Sequence, residues 1–238
     1  MRLSKRLETV ISFVAPRSRV ADVGTDHGFI PIELVRRGTA LWCCAMDVVP
    51  GPLMRAKEHI RQQGLEDKIE TRLGDGVDKL LSGEADTVII AGMGGQTVIH
   101  ILENGSRLWE DVDNWILSPQ SEIHKVRRFL HSRGFVIVRE DMTEDGGKYY
   151  TVMEAVYDRE RAKAQGELTE AEYLFGPRLT AEKHEVLMEF LAGERRKLLG
   201  IVEELKGKDG EKAKERREKL EERLRCIEEA GAGSPARL

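Results

Sequence analysis

Cysteine is scarce in this 238-residue chain and forms no recognisable motif. Cys43 and Cys44 are adjacent within an apolar run and Cys226 lies in a charged stretch. No C-x-x-C pair suggests a metal or redox site, so all three read as reduced thiols and no metal is required. Long hydrophobic runs are missing too. No apolar stretch approaches the roughly 18 residues of a membrane span, and no apolar segment follows a basic start as in a secretory leader. The expectation is a soluble, cytoplasmic protein with no membrane partner. Nor does one sign of charge dominate, with 38 Lys and Arg against 42 Asp and Glu and a formal net charge of -4. That balance excludes a uniformly basic nucleic-acid binder and leaves open one with a local basic surface.

What is present is enough chain for one full domain and a modest appendage. From residue 20 to 157, short β-rich runs alternate with amphipathic stretches, the pattern of a parallel sheet covered on both faces. Strands are expected at 20–24, 41–47, 69–73, 86–91 and 115–118. Helical faces lie between them, carried by Ile32, Leu34 and Val35, by Leu53, Ala56 and Ile60, and by Val98, Ile99 and Leu102. A helix is expected over 121–133. Two strand-like runs, 135–139 and 149–157, are joined by the turn-rich 141–147 and predict a terminal antiparallel hairpin.

Past Asp158 the composition shifts to charged helix formers. Helices over 180–206 (stripe Leu187, Leu191, Leu198, Val202) and 211–229 (Leu220, Leu224, Ile227), with a short turn at 207–210, predict an antiparallel, coiled-coil-like helical hairpin. The expected division is 1–158 for a Rossmann-like domain, 159–230 for the helical appendage and 231–238 for a disordered tail.

The most informative stretch is Ala21-Asp22-Val23-Gly24-Thr25-Asp26-His27-Gly28, a strand feeding a glycine turn that opens onto a helix. Ligands of α/β sheets bind at such turns. A dinucleotide fingerprint has a glycine where Asp26 stands, so that bare backbone can touch a pyrophosphate. A carboxylate there repels phosphate and suits an ammonium, such as the methionine end of S-adenosylmethionine. Three more strand ends should reach the same crevice. Asp47 is placed to accept from ribose hydroxyls, Asp75 in Gly74-Asp75-Gly76 to accept from an adenine amine, and Ala91-Gly92-Met93-Gly94-Gly95 to leave room for a second planar group. Each has a plainer reading: Asp22 as a brace for its turn, Asp47 as a solvated acid, Asp75 and Gly76 as a tight turn, Met93 as packing and His27 as a local hydrogen bond to backbone.

Together these segments resemble the bacterial tRNA adenine-22 N1-methyltransferases (TrmK-type), class I enzymes that use S-adenosylmethionine. The likeness spans nearly the whole chain and includes Leu3-Ser4-Lys5-Arg6-Leu7, Gly24-Thr25-Asp26-His27, Gly74-Asp75-Gly76, Ala91-Gly92-Met93-Gly94-Gly95, Glu144-Asp145-Gly146 with Lys148, and Gly176-Pro177. One departure is an extra glycine, Gly147, in the hairpin turn. The resemblance implies a seven-stranded, mostly parallel sheet and methylation of N1 of adenosine 22 in tRNA. Asp22, Gly24, Asp26, Asp47, Asp75, Gly76, Ala91, Gly92 and Met93 are the expected cofactor residues, with Met93 and His27 beside the chemistry.

Candidate tRNA contacts are Arg2, Lys5 and Arg6 near the start, and His124, Lys125, Arg127, Arg128, His131 and Arg133 on the 121–133 helix. Of these Arg6, Lys125, Arg127 and Arg128 are the leading ones, although a solvated helix face is the plainer reading of the run. Three other functions remain open: a methyltransferase for another RNA base, a small molecule or a protein; a non-catalytic RNA-binding protein with a vestigial crevice; and a nicotinamide dehydrogenase, which Asp26 disfavours.

Overall fold

A computed structural model describes residues 3–206 and 210–233. Packing separates the chain into two units, Met1–Ala164 and Gln165–Leu238. The first is built on a seven-stranded sheet in the order β3-β2-β1-β4-β5-β7-β6. Its strands are β1 (Ser18–Val23), β2 (Ala40–Asp47), β3 (Ile69–Leu73), β4 (Thr87–Ala91), β5 (Asn114–Ser118), β6 (Phe135–Asp145) and β7 (Lys148–Tyr157). The first five pair in parallel, and β7 runs antiparallel to both neighbours.

Helices α1 (Lys5–Ile11), α2 (Phe29–Arg36), α3 (Pro50–Gln62), α4 (Gly95–Asn104) and α5 (Ile123–Arg133) accompany the strands, and α6 (Arg159–Gln165) follows them. Because both faces are covered, the central strands are apolar throughout and not alternating. Their side chains still divide by parity. Ala21, Val23, Cys44, Met46, Val88, Ile90, Trp115 and Leu117 join a core with α4 and α5. Val20, Cys43, Ala45, Ile89 and Ile116 join another with α1 and α2. Asp22 shares the parity of Val20 and is carried to the α1 and α2 side, where it is buried.

Two boundaries differ from expectation. The segment 141–147 is mostly strand: β6 runs to Asp145, and the reversal is made by Gly146 and Gly147 alone, at φ 62° and 79°. Two consecutive residues at positive φ give the tight turn whose twist matches a hairpin, so the ladder continues to Asp145 opposite Lys148. Helix α5 starts at Ile123 and not at Ser121, because Glu122 sits in the left-handed region at φ 51°.

The second unit contains α7 (Glu170–Phe175), α8 (Pro177–Ala181), α9 (Glu185–Lys206) and α10 (Glu211–Ala232). Thr169 and Glu172 form a capping box at the start of α7. The helix expected over 180–206 is interrupted before α9. Lys183 adopts φ 50° and the His184 amide donates to the Leu179 carbonyl, closing α8 by a left-handed residue that is not glycine. Helices α9 and α10 pack together, with Leu187, Leu191, Val202 and Leu205 buried on α9 and Leu224, Ile227 and Ala230 on α10, while Leu198 and Leu220 of the expected stripes are half-buried. Helix α10 continues through Ala232, into the stretch expected as tail; 234–238, the 207–209 part of the turn and Arg2 lie outside the described residues.

Candidate cofactor site

The order β3-β2-β1-β4 brings the C-terminal ends of four parallel strands to one edge, and the turns after them are tied together by backbone. The Gly24 and Thr25 amides both donate to the Met46 carbonyl at 2.8 and 2.9 Å, and Gly74 donates to Asp47 at 3.0 Å. Gly24 holds φ 76°, and a β-carbon there would overlap the Met93 methyl group. The turn after β1 and the loop after β4 are therefore in contact through the end of the Met93 side chain, and the positive φ favours glycine at position 24.

A cleft of about 560 Å³, counted to its open mouth, lies beside this contact. It is lined by Asp22, Gly24, Asp26, Phe29 and Ala91 together with Arg6 and Leu7 from α1. Asp22 is 4% exposed. Burial pushes its carboxyl up to about 6, the Thr25 hydroxyl opposes the rise and the Asp47 charge adds to it. Asp26 is 71% exposed and faces Arg55 at 3.7 Å and His27 at 3.4 Å. The cleft thus pairs one buried, reluctant carboxyl with one solvated carboxylate.

The other expected residues flank the cleft without lining it. Asp47 is half-buried at the end of β2, and its Oδ1 accepts from the Val49 amide at 2.7 Å, an Asx turn that opens α3. Asp75 is exposed in the turn after β3. Gly76 is buried at φ 57°, and a β-carbon there would come within 3.0 Å of Ile101, so the missing side chain accommodates α4. Gly92, at φ 86°, presents bare backbone to the Arg6 guanidinium and Gln120. Met93 is half-buried, packed on the core, and its carbonyl accepts from the Gln120 amide at 2.8 Å. The Gly94 carbonyl accepts from Val98 at 3.1 Å, so the Met93 and Gly94 carbonyls both serve internal bonds.

His27 does not make the local side-chain hydrogen bond to backbone. It sits at φ 59°, its Nδ1 is buried with no hydrogen-bond partner among the described residues, and its ring stacks on Phe29 and His59. Its own carbonyl is what the His59 ring engages, at 3.0 Å.

Arg127 must be removed from the tRNA-binding residues. Its side chain is 1% exposed and its guanidinium meets Glu140 Oε1 at 2.9 Å, inside the protein. An arginine committed to a buried carboxylate braces α5 against β6 and cannot present itself to phosphate. Lys125 and Arg128 are exposed on the same helix, Lys125 paired with Glu122. Arg6 has a position the sequence did not disclose. Its amide donates to Asp145 at 3.1 Å and its guanidinium lies 5.4 Å from the Tyr150 ring centroid, so α1 joins the β6–β7 hairpin to the wall of the cleft. The signal for this was Ser4 capping a helix with Leu7, Val10 and Ile11 on one face.

The three thiols are buried, and desolvation raises each; Cys44 is pushed up to about 12. Among the described residues, no group of three or more His, Cys, Asp or Glu is placed to hold a metal, and no helix is long and apolar enough to cross a membrane.

The acidic side chains of Asp22 and Asp26 in the cleft, beside the bare backbone of Gly24, fit a cationic ligand such as S-adenosylmethionine. Fold and site together define a methyltransferase domain, and residues 3–153 match the family described as Methyltransferase domain. The curated tRNA (adenine(22)-N(1))-methyltransferase of Bacillus subtilis is 32% identical over 96% of this chain and 97% of its own. The crystal structure of the B. subtilis m1A22 tRNA methyltransferase TrmK covers 97% of this chain and 99% of its own at a TM-score of 0.84 and 32% identity. M. capricolum TrmK in complex with S-adenosylhomocysteine covers 98% and 99% at 0.79 and 25% identity. The chain belongs to the tRNA (adenine(22)-N(1))-methyltransferase family.

Proposed function

We propose that this protein transfers a methyl group from S-adenosylmethionine to N1 of adenosine 22 in tRNA. The observation that carries this is the reach of the 32% identity, which extends over 96% of the chain and so takes in the strand-end turns and the helical unit alike. Bound S-adenosylmethionine supplies an electrophilic methyl group on a sulfonium. Everything else falls to the protein. Asp26 and Asp22 accept from the amino-acid ammonium, Asp47 from the ribose hydroxyls and Asp75 from the adenine amine. Ala91, Gly92 and Met93 border the space for the target purine.

Neutral adenine already carries its N1 lone pair, so no strong base is needed and His27 has no proton to remove from the nucleophile. Positioning is then the main contribution, and it can supply several kcal/mol. A carboxylate against the sulfonium would stabilise the ground state more than the charge-dispersed transition state. The acids therefore belong at the sugar and ammonium ends. Positive charge arriving on the purine calls for an acceptor, and the Gly92 carbonyl is better placed for this than those of Met93 and Gly94, which serve internal bonds.

The target adenosine must leave its stack at a cost of a few kcal/mol, which contacts elsewhere on the tRNA offset. Arg6, Lys125 and Arg128 are assigned to those contacts. Catalysis is assigned to residues 1–158, support for tRNA binding to the helical hairpin 159–230, and the site of action to the cytoplasm. The test is incubation of purified protein with radiolabelled methyl donor and unmodified tRNA, followed by nucleoside analysis. Label in 1-methyladenosine is expected; label in another base would point to a different specificity.

A further inference from the structure

Helix α3 touches the glycine turn after β1 at three points. Ala56 is fully buried, and a β-carbon at Gly28 would meet the Ala56 Cβ at 3.4 Å, so the helix surface lies directly against the turn. Arg55 Nη2 stands 3.7 Å from Asp26 Oδ1. One helical turn on from Arg55, His59 Nδ1 lies 3.0 Å from the His27 carbonyl oxygen, and the two imidazoles stack with centroids 5.3 Å apart and planes 21° from parallel.

A carbonyl oxygen only accepts, so His59 carries its proton on Nδ1 and donates it. The residue it grips is the one that needs gripping. His27 is at φ 59°, a backbone conformation that costs an L-residue energy unless its surroundings enforce it. Asp26, the immediately preceding residue, lines the cleft. If His27 relaxed to negative φ, the peptide between the two would rotate and the Asp26 carboxylate would swing from its place.

We infer that His59 is a positioning residue for cofactor binding: its Nδ1–H bond to the His27 carbonyl maintains the left-handed turn that aims Asp26 into the cleft. This rests on the reading that the cleft receives the amino-acid end of S-adenosylmethionine. It also gives α3 a second task. The helix begins at the Asx turn of Asp47 and, by way of His59, fixes the turn of Asp26, so a single rigid element spaces the ribose and ammonium anchors.

Two variants of the full-length protein separate the hydrogen bond from the ring. His59→Phe keeps a stacking ring and loses the donor. His59→Asn loses the ring and keeps a side-chain N–H one bond from Cγ, where Nδ1 stood. By calorimetry His59→Phe raises the Kd for S-adenosylmethionine about 5- to 10-fold, the range of one hydrogen bond. The KM for S-adenosylmethionine follows it, while the KM for tRNA and the melting temperature hold. His59→Asn stays within about twofold of the unaltered protein, because the donor persists. Unchanged affinity in His59→Phe would overturn the inference, and a loss in His59→Asn with none in His59→Phe would assign the effect to the ring. Absence of binding by the unaltered protein would overturn the cofactor reading itself.

Discussion

The methyl group of Met93 lies 1.9 Å from the place a β-carbon on Gly24 would take, so the turn after β1 and the loop after β4 touch. A substitution at either residue is therefore felt at both strand ends. Gly24→Ala combines this overlap with the cost of φ 76° for an L-residue, about 1–2 kcal/mol. It is expected to destabilise the fold by at least that amount in urea titration and to abolish cofactor binding by calorimetry. Gly24→Ala/Met93→Ala should recover only part of the stability, since the overlap is relieved and the backbone strain stays.

Asp22 makes the protein pH-sensitive. With its carboxyl raised from 3.8 to about 6, the folded state holds a proton that the unfolded state has released between those values. Stability contributed by this group is thus complete below pH 3.8, falls as pH rises toward 6 and is level above. Cofactor affinity should run the other way, since an ionised Asp22 attracts the ammonium: a rise of about tenfold from pH 5 to pH 7 is expected for a group titrating near 6. Calorimetry across that range should show the rise in the unaltered protein and a flat response in Asp22→Asn.

Asp47 has two tasks that a pair of variants can separate. Asp47→Asn keeps an acceptor for the Val49 amide and loses one ribose acceptor. Asp47→Ala loses both and opens the Asx turn that precedes α3. Both should weaken S-adenosylmethionine binding, but only Asp47→Ala should also lower stability, by about 1 kcal/mol for the lost hydrogen bond. Equal affinity of both variants and the unaltered protein would remove Asp47 from the site.

Neighbouring arginines on α5 should behave oppositely. Arg127→Ala takes the guanidinium away from the buried Glu140 carboxylate and is expected to cost about 3–5 kcal/mol in stability. Arg128→Ala and Lys125→Ala should leave the melting temperature nearly unchanged. They should lower tRNA affinity and shrink the dependence of log K on log salt by about 0.9 for each lost phosphate contact to duplex. Filter binding at a series of salt concentrations, set beside thermal unfolding, distinguishes the two kinds of arginine.

The sheet and its strand-end turns were legible in sequence for a physical reason. Strands buried on both faces, such as β2 and β4, read as unbroken apolar runs bounded by glycine or acid, and little else in a soluble protein does. The hairpin was harder. Residues 141–145 are acidic and resemble a loop, yet they are strand because two positive-φ glycines make the reversal with nothing to spare. That misreading also hid the partner of Arg127, since Glu140 falls between the strand expected at 135–139 and the turn expected at 141–147. Arg127 and Arg128 are adjacent, and no periodicity could say that the first had a carboxylate waiting inside the protein on another element. The His59 contact was equally invisible, because it joins a helix to a turn 32 residues away.

The most direct test of the whole account is methyl transfer to a pair of tRNA transcripts that differ only at position 22. The account predicts incorporation into the transcript with adenosine at 22, recovered as 1-methyladenosine, and none when guanosine replaces it. Equal incorporation into both transcripts would contradict it.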